Sequence, residues 1–303
     1  MRRDSAAIEV GIEGDLVPPQ YRLAVLQDHP RFDEAMRLCA VNSIDMHSRG
    51  RVMGWLMSDR TLAVVALAAV CLDADMQADD LRSGLTPGRF KAFCVHNRVC
   101  SEGRAAAVLA FLRLSGHVEA EGHPADRRIT RLRPSPKLLE MVRTRIRSQI
   151  EAASLICPEV APAIAQLDNP EFERRLYIGF LDKFISGMRL LAQAPQLRLF
   201  ADRDVGVLVL LALSLDADAA DAMPPTGPMK LSIAALARRF RVSRTHILRM
   251  VRDAEAAGLL TRIGEKGEQV CFSPQLREGL RNLIAAMFQY LTVCATAVLP
   301  AAD

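Results

Sequence analysis

The 303-residue chain has few aromatic residues: they make up 5% of it, with one tryptophan and three tyrosines. Ala, Leu, Arg and Val are abundant instead. Unbranched side chains lose little rotamer freedom in a helix, so this composition favours helix over strand. The chain also lacks any Cys-x-x-Cys pair. Its seven cysteines (Cys39, Cys71, Cys94, Cys100, Cys157, Cys271, Cys294) are odd in number and scattered, which argues against a disulfide framework or a zinc ribbon. They read as reduced, mostly buried thiols in a cytoplasmic protein. Cys94, His96 and Cys100 lie close together but lack a fourth zinc ligand. Cys100 precedes a predicted helix start, where a dipole favours thiolate, so a redox sensor competes there with a plain buried thiol.

Long apolar runs are missing too. The longest, "LAVVALAAVCL" (62–72) and "VGVLVLLALSL" (205–215), are about half of what a bilayer span needs, and they read as buried helices. The opening "MRRDSAAIEVGIEGD" is basic but has no apolar core, so no secretion signal and no membrane partner are expected. There is no G-x-S-x-G, no P-loop and no H-E-x-x-H, which argues against an enzyme; no cofactor or metal is expected. The pairs Asp73/Asp75 and Asp216/Asp218 end apolar stretches and read as loop caps rather than acid–base groups. A net charge of +4 is too small to argue for a polyanionic partner, so the placement of charge must decide.

The chain repeats itself. "HPRFDEAMRL" (29–38) aligns with "NPEFERRLYI" (169–178), "LAAVCLDAD" (67–75) with "LLALSLDAD" (210–218), and "LRLSGHVEA" (112–120) with "AEAAGLLTR" (254–262). The three matches keep the same order at offsets of 140, 143 and 142. Recurrence at a fixed period marks a repeated structural unit. Each unit is expected to hold a long helix (about 31–50 and 171–192) and a very apolar helix (about 61–73 and 203–216). Two short helices follow (about 87–97 and 101–115; 232–240 and 243–257), then a stretch of strand character and a final amphipathic helix (about 136–156 and 274–297). Pro134, Pro136 and Pro274 fall where a helix start tolerates a missing N–H. The division is an extension over 1–28, a first unit over 29–157 and a second over 158–303.

The short helices carry the chemistry. In "LSIAALARRF" (231–240), Ile233, Leu236, Ala237 and Phe240 share one face. After a turn at Arg241-Val242, Ser243 is placed to cap the next helix, whose buried stripe is Ile247, Met250, Val251 and Ala254, with Gly258 ending it. Arg244, Thr245, Leu248, Arg249 and Arg252 are left outward. Two helices joined by a tight turn, the second presenting Ser, Thr and Arg near its start, match a helix-turn-helix. Such side chains grip phosphates and base edges. The following "LLTRIGEKGEQVCFS" turns at "GEKGE" like the hairpin of a wing, placing Arg262 and Lys266 along flanking phosphates. The competing reading is a solvated basic face.

On these residues "VSRTHILRMVRDAEAAGLLTR" resembles the recognition helix and strand of MarR-type winged-helix regulators. "GHVEAEGHPADRRITRLRPSPKLLEMV" (116–142) is similar to that family's wing, in which Asp126 and Arg128 match a bracing ion pair. The resemblance implies long flanking helices that form a dimerisation domain, and a small-molecule effector pocket that no polar cluster marks in the sequence. That family binds DNA as a homodimer of single units, whereas two units stand here in one chain. The expected fold is therefore mainly α, two winged helix-turn-helix units with long flanking helices related by an internal pseudo-two-fold, a monomer acting as an intramolecular dimer. The first candidate reading helix, "SEGRAAAVLAFLRLSG" (101–116), has diverged: Ala107 replaces Arg249, Glu102 sits in the first turn, and only Arg104 offers charge there.

The expected function is transcriptional regulation by binding double-stranded DNA, with the two reading helices in major-groove faces about one helical turn apart. The expected contacts are Ser243, Arg244, Thr245, His246, Arg249, Arg252, Arg262 and Lys266 from the second unit. The first unit adds Ser101, Arg104, Arg127, Arg128 and Arg131, with Asp126 as a structural brace of the wing. A cytoplasmic, nucleoid-associated location follows. Two rivals remain: a plasmid-type replication initiator with tandem winged helices, and a winged-helix scaffold that binds only proteins.

Overall fold

A computed structural model describes residues 23–58, 60–77, 80, 83–122, 130–216 and 221–300. The architecture is mainly helical with two small antiparallel sheets. In chain order the first half runs α1 (Leu23–Gln27), α2 (Phe32–Ser48), α3 (Arg51–Ser58), α4 (Arg60–Ala74), α5 (Pro87–His96), α6 (Glu102–Leu114), β1 (Val118–Gly122), β2 (Thr130–Pro134) and α7 (Pro136–Ala153). The second half runs α8 (Pro162–Gln166), α9 (Pro170–Ile185), α10 (Arg198–Ala201), α11 (Gly206–Leu215), β3 (Met229–Lys230), α12 (Ile233–Phe240), α13 (Arg244–Ala256), β4 (Leu260–Ile263), β5 (Gln269–Phe272) and α14 (Pro274–Thr296).

Local chemistry sets the helix starts. Pro87, Pro136, Pro170 and Pro274 each occupy the first helical turn, where no N–H is needed. Pro134, by contrast, ends β2 opposite Val118. Thr86, Ser101, Asn169, Ser232, Ser243 and Ser273 each accept a hydrogen bond from an N–H of the first turn they precede. α11 is buried on every side, as a helix apolar all round must be.

The long helices form the centre. α2 packs on α7, and α9 packs on α14. Across the halves, α4 packs on α9 and α11 packs on α2, while α7 and α14 meet each other. One contiguous core includes Phe32, Phe180, Leu211 and Phe288. The ring of Phe180 stacks on Tyr290 at 5.3 Å, and Phe32 meets Phe288 edge-on at 6.4 Å. α1, at the end of the expected extension, lies on α14, with Gln27 Nε2 donating to Asn282 Oδ1 at 2.7 Å.

Three features depart from expectation. α9 ends at Ile185 rather than near 192, because Gly187 turns the chain with φ +99° and Pro195 opens a short 3-10 turn over Pro195–Leu197. α1, α3, α8 and α10 have no counterpart among the expected elements. β3 adds a strand to the second hairpin, pairing Met229 with Val270. In the first half Leu132 N donates to Leu85 O at 2.8 Å in the corresponding place. Among the described residues no helix is long and apolar enough to cross a membrane.

Candidate nucleic-acid interface

α12 and α13 pack together across a three-residue turn, Arg241–Ser243, in which Arg241 is left-handed with φ +58°. Val242 N closes the turn onto Ala237 O at 3.1 Å. Ile247, Met250, Val251 and Ala254 are buried, at the i, i+3, i+4, i+7 spacing of one helix face. That burial fixes what faces outward. Arg244, Thr245, Arg249 and Arg252 are exposed, and Leu248 is half-buried. Among the described residues none of these three arginines is held in an ion pair. Arg238 and Arg239 of α12 and Arg241 of the turn are exposed as well, so one helix pair displays six exposed arginines. The run "ARRFR" (237–241) carried the signal for the last three, which the sequence reading passed over.

Ser243 is the N-cap, accepting from His246 N at 3.0 Å. That bond occupies one of its two lone pairs, and its hydroxyl proton is still available to an acceptor. His246 turns back toward the preceding segment, with Nε2 2.9 Å from Asp204 O. Arg203 pairs with Asp253 on the next turns of the helix. These two contacts anchor α13 to Arg203 and Asp204. They also bound an open cleft of ≈ 420 Å³ lined by Arg203, Ser243, Thr245, His246 and Arg249. Nothing local in the sequence linked Arg203 and Asp204 to a helix 40 residues later.

Behind α13, β4 and β5 form the hairpin, with Leu260 opposite Phe272 and Ile263 opposite Gln269. Its tip needs glycine, because Gly264 and Gly267 take φ of +93° and +63°. Lys266 is exposed at that tip. Arg262 is half-buried and forks onto Glu255 of α13, Nε and Nη2 donating to Oε2 at 2.9 and 2.6 Å. Its hydrogen bonds hold the Glu255 carboxyl below the usual range. Arg262 is thus a brace between helix and hairpin, and the charge it offers outward is already partnered.

In the first half α5, α6, β1 and β2 follow in the same order as α12, α13, β4 and β5, with other chemistry. Ser101 caps α6, accepting from Arg104 N at 3.3 Å. Ala105, Val108, Leu109 and Leu112 face inward. Exposed on α6 are Glu102, Gly103, Arg104, Ala106, Ala107, Ala110, Phe111, Arg113 and Leu114, the last at 90%. Glu102 is tied to Lys91 of α5 at 2.8 Å. Phe111 leans on Trp55 of α3 with ring centroids 4.2 Å apart, at the place where α13 uses Asp253 on Arg203.

In β2, Arg133 pairs with Glu121 at 3.2 Å. Arg131 is half-buried, with its Nε shielded against the Gly84 turn. Its charge acts on Asp73 at the end of α4, whose carboxyl burial pushes up to about 6 against the pull of Arg133 and Arg131. Asp126, Arg127 and Arg128 lie outside the described residues. Cys94 is buried, with its thiol pushed up to about 12 by desolvation, and Cys100 is half-buried beside it. No group of three or more His, Cys, Asp or Glu side chains with metal-binding geometry occurs among the described residues. No protein-family model, no curated protein and no solved structure matches the chain.

Proposed function

We propose that the chain binds double-stranded DNA as a transcriptional regulator, acting in the cytoplasm as an intramolecular pseudo-dimer of two winged helix-turn-helix units. The observation that carries this reading is the outward face of α13. A capped helix, seated on a short partner and backed by a braced hairpin, displays Arg244, Thr245, Arg249 and Arg252 without protein partners for the arginines. Unpaired guanidinium groups on a rigid helix suit phosphates and guanine edges, and the flanking Arg238, Arg239 and Arg241 extend the basic surface.

The pseudo-dimer rests on reciprocity. In an isologous pair, if element i of one unit touches j of the other, then j touches i. The contacts α4–α9 and α11–α2 stand in that relation, and α7–α14 is its self-paired member. The MarR-type resemblance agrees with the order of elements in each unit.

The test is fluorescence anisotropy with genomic duplex fragments at two salt concentrations. Arg238, Arg239, Arg241 and Lys266 engaged on phosphates would lower affinity about 10²-fold between 50 and 200 mM salt. Arg249→Ala is expected to relax base preference while leaving most of the salt dependence. Absence of binding at 50 mM salt, or binding indifferent to salt, overturns the proposal. The exposed Leu114 and Phe111 favour a second reading, a scaffold that docks a protein partner, which predicts that same absence of DNA binding.

A further inference from the structure

α6 and α13 can be matched residue by residue. Ser101 and Ser243 cap them in the same way, each accepting from the N–H three residues on. Gly116 and Gly258 end them with the same φ of +69°. At that offset of 142, Glu102 stands for Arg244, Gly103 for Thr245, Ala107 for Arg249 and Ala110 for Arg252. All eight positions are exposed, so the difference lies in the outward faces and not in packing.

Base edges in the major groove are distinguished by side-chain donors and acceptors and, at thymine, by apolar contact with the methyl group. Gly103, Ala107 and Ala110 have no donor or acceptor to offer a base edge. Glu102 is an anion held by Lys91, and near a phosphate it repels. Arg104 occupies the place of His246, the flank that in α13 turns back to Asp204 rather than outward. The turns match, Arg98 and Arg241 both being exposed with positive φ, but the preceding helices differ: Arg238 and Arg239 are exposed on α12, whereas on α5 Arg89 is paired with Asp75 and Lys91 with Glu102.

We infer that base recognition is one-headed: α13 reads sequence through Arg244, Thr245, Arg249 and Arg252, and α6 forms no hydrogen bond to a base edge. The operator then carries its information in a single half-site and is asymmetric. This inference rests on the DNA-binding reading above.

The experiment is selection from a randomised duplex pool with the full chain, followed by 7-deazaguanine scanning of the selected site. One block of defined sequence is expected, on one side only. Removing guanine N7 inside it lowers affinity about ten-fold, the scale of one lost bidentate arginine contact, and removing N7 elsewhere changes nothing. Arg249→Ala is expected to abolish the N7 effect at one guanine. Two blocks of equal information, or N7 effects on both sides, overturn one-headed reading and leave DNA binding standing. An Arg249→Ala protein that folds and keeps every N7 effect also overturns it. No enrichment and no retention at 50 mM salt removes the premise, and both proposals fall together. The 7-deazaguanine scan uses the unaltered chain, so it decides the matter even if the variant does not fold.

Discussion

Glu173→Ala is expected to destabilise the protein by about 3 kcal/mol, and the structure shows where that cost arises. Glu173 lies in the first turn of α9 and is 7% exposed. Arg143 of α7 grips both its oxygens, Nε to Oε1 at 3.1 Å and Nη2 to Oε2 at 3.0 Å. Tyr177, 3% exposed, donates its hydroxyl to Oε1 at 2.6 Å. Truncation strands the buried phenol, a desolvation penalty of about 1–3 kcal/mol. Breaking a buried ion pair by removing one partner costs about 3–5 kcal/mol when the other charge is left alone. Arg143 is not left alone, because Glu140 stays at 3.0 Å and Asp168 at 3.9 Å and its side chain is 25% exposed, so about half of that applies.

For a chain of this length, about 3 kcal/mol corresponds to roughly 5 °C in Tm if unfolding is cooperative. Glu173→Gln keeps an acceptor for Tyr177 and should cost about half as much. The assay is urea unfolding followed by circular dichroism, with a double-mutant cycle against Arg143→Met expected to give a coupling above about 1 kcal/mol. A Glu173→Ala protein within about 0.5 kcal/mol of the parent, or a Gln variant weaker than the Ala variant, refutes the reasoning.

Two further outcomes can be checked on the same instrument. The folded Asp73 carboxyl is raised to about 6 by burial, so the native state holds a proton that the unfolded chain has released; stability from this group is present near pH 4 and lost as pH rises to about 6. Asp73→Asn should flatten that limb and be more stable than the parent by about 1–2 kcal/mol above pH 6, and parallel Tm profiles from pH 4 to 7 would contradict it. Gly206→Ala places a methyl group 2.7 Å from the carbonyl carbon of Phe200 and 2.9 Å from its Cα, backbone atoms that cannot swing aside. The expected cost is about 3 kcal/mol or more, and a variant melting within 2 °C of the parent would show that the start of α11 shifts freely.

Much of the local structure was legible because short-range chemistry decides it. The stripe Ile247, Met250, Val251, Ala254 gave the buried face of α13, Ser243 its start and Gly258 its end, with no knowledge of the rest of the chain. The same holds for the proline starts of α7 and α14. α3 and the break after Ile185 were not legible. The first helix follows no cap signal in "RVMGWLMS", and the second depends on one glycine adopting positive φ.

The candidate site divides along the same line. Amphipathic spacing alone determined which side chains of α13 point outward, since the period of a helix is intrinsic to the backbone. Only the tertiary structure decided which of those charges remain available. Arg262 is taken up by Glu255 and His246 by the Asp204 carbonyl, both through contacts with residues from other elements. Three short sequence matches at a near-constant offset were visible, but the packing of α4 on α9 and of α11 on α2 was not. Two uniformly apolar helices carry no directional pattern in sequence, so their partners are chosen by packing across the whole molecule.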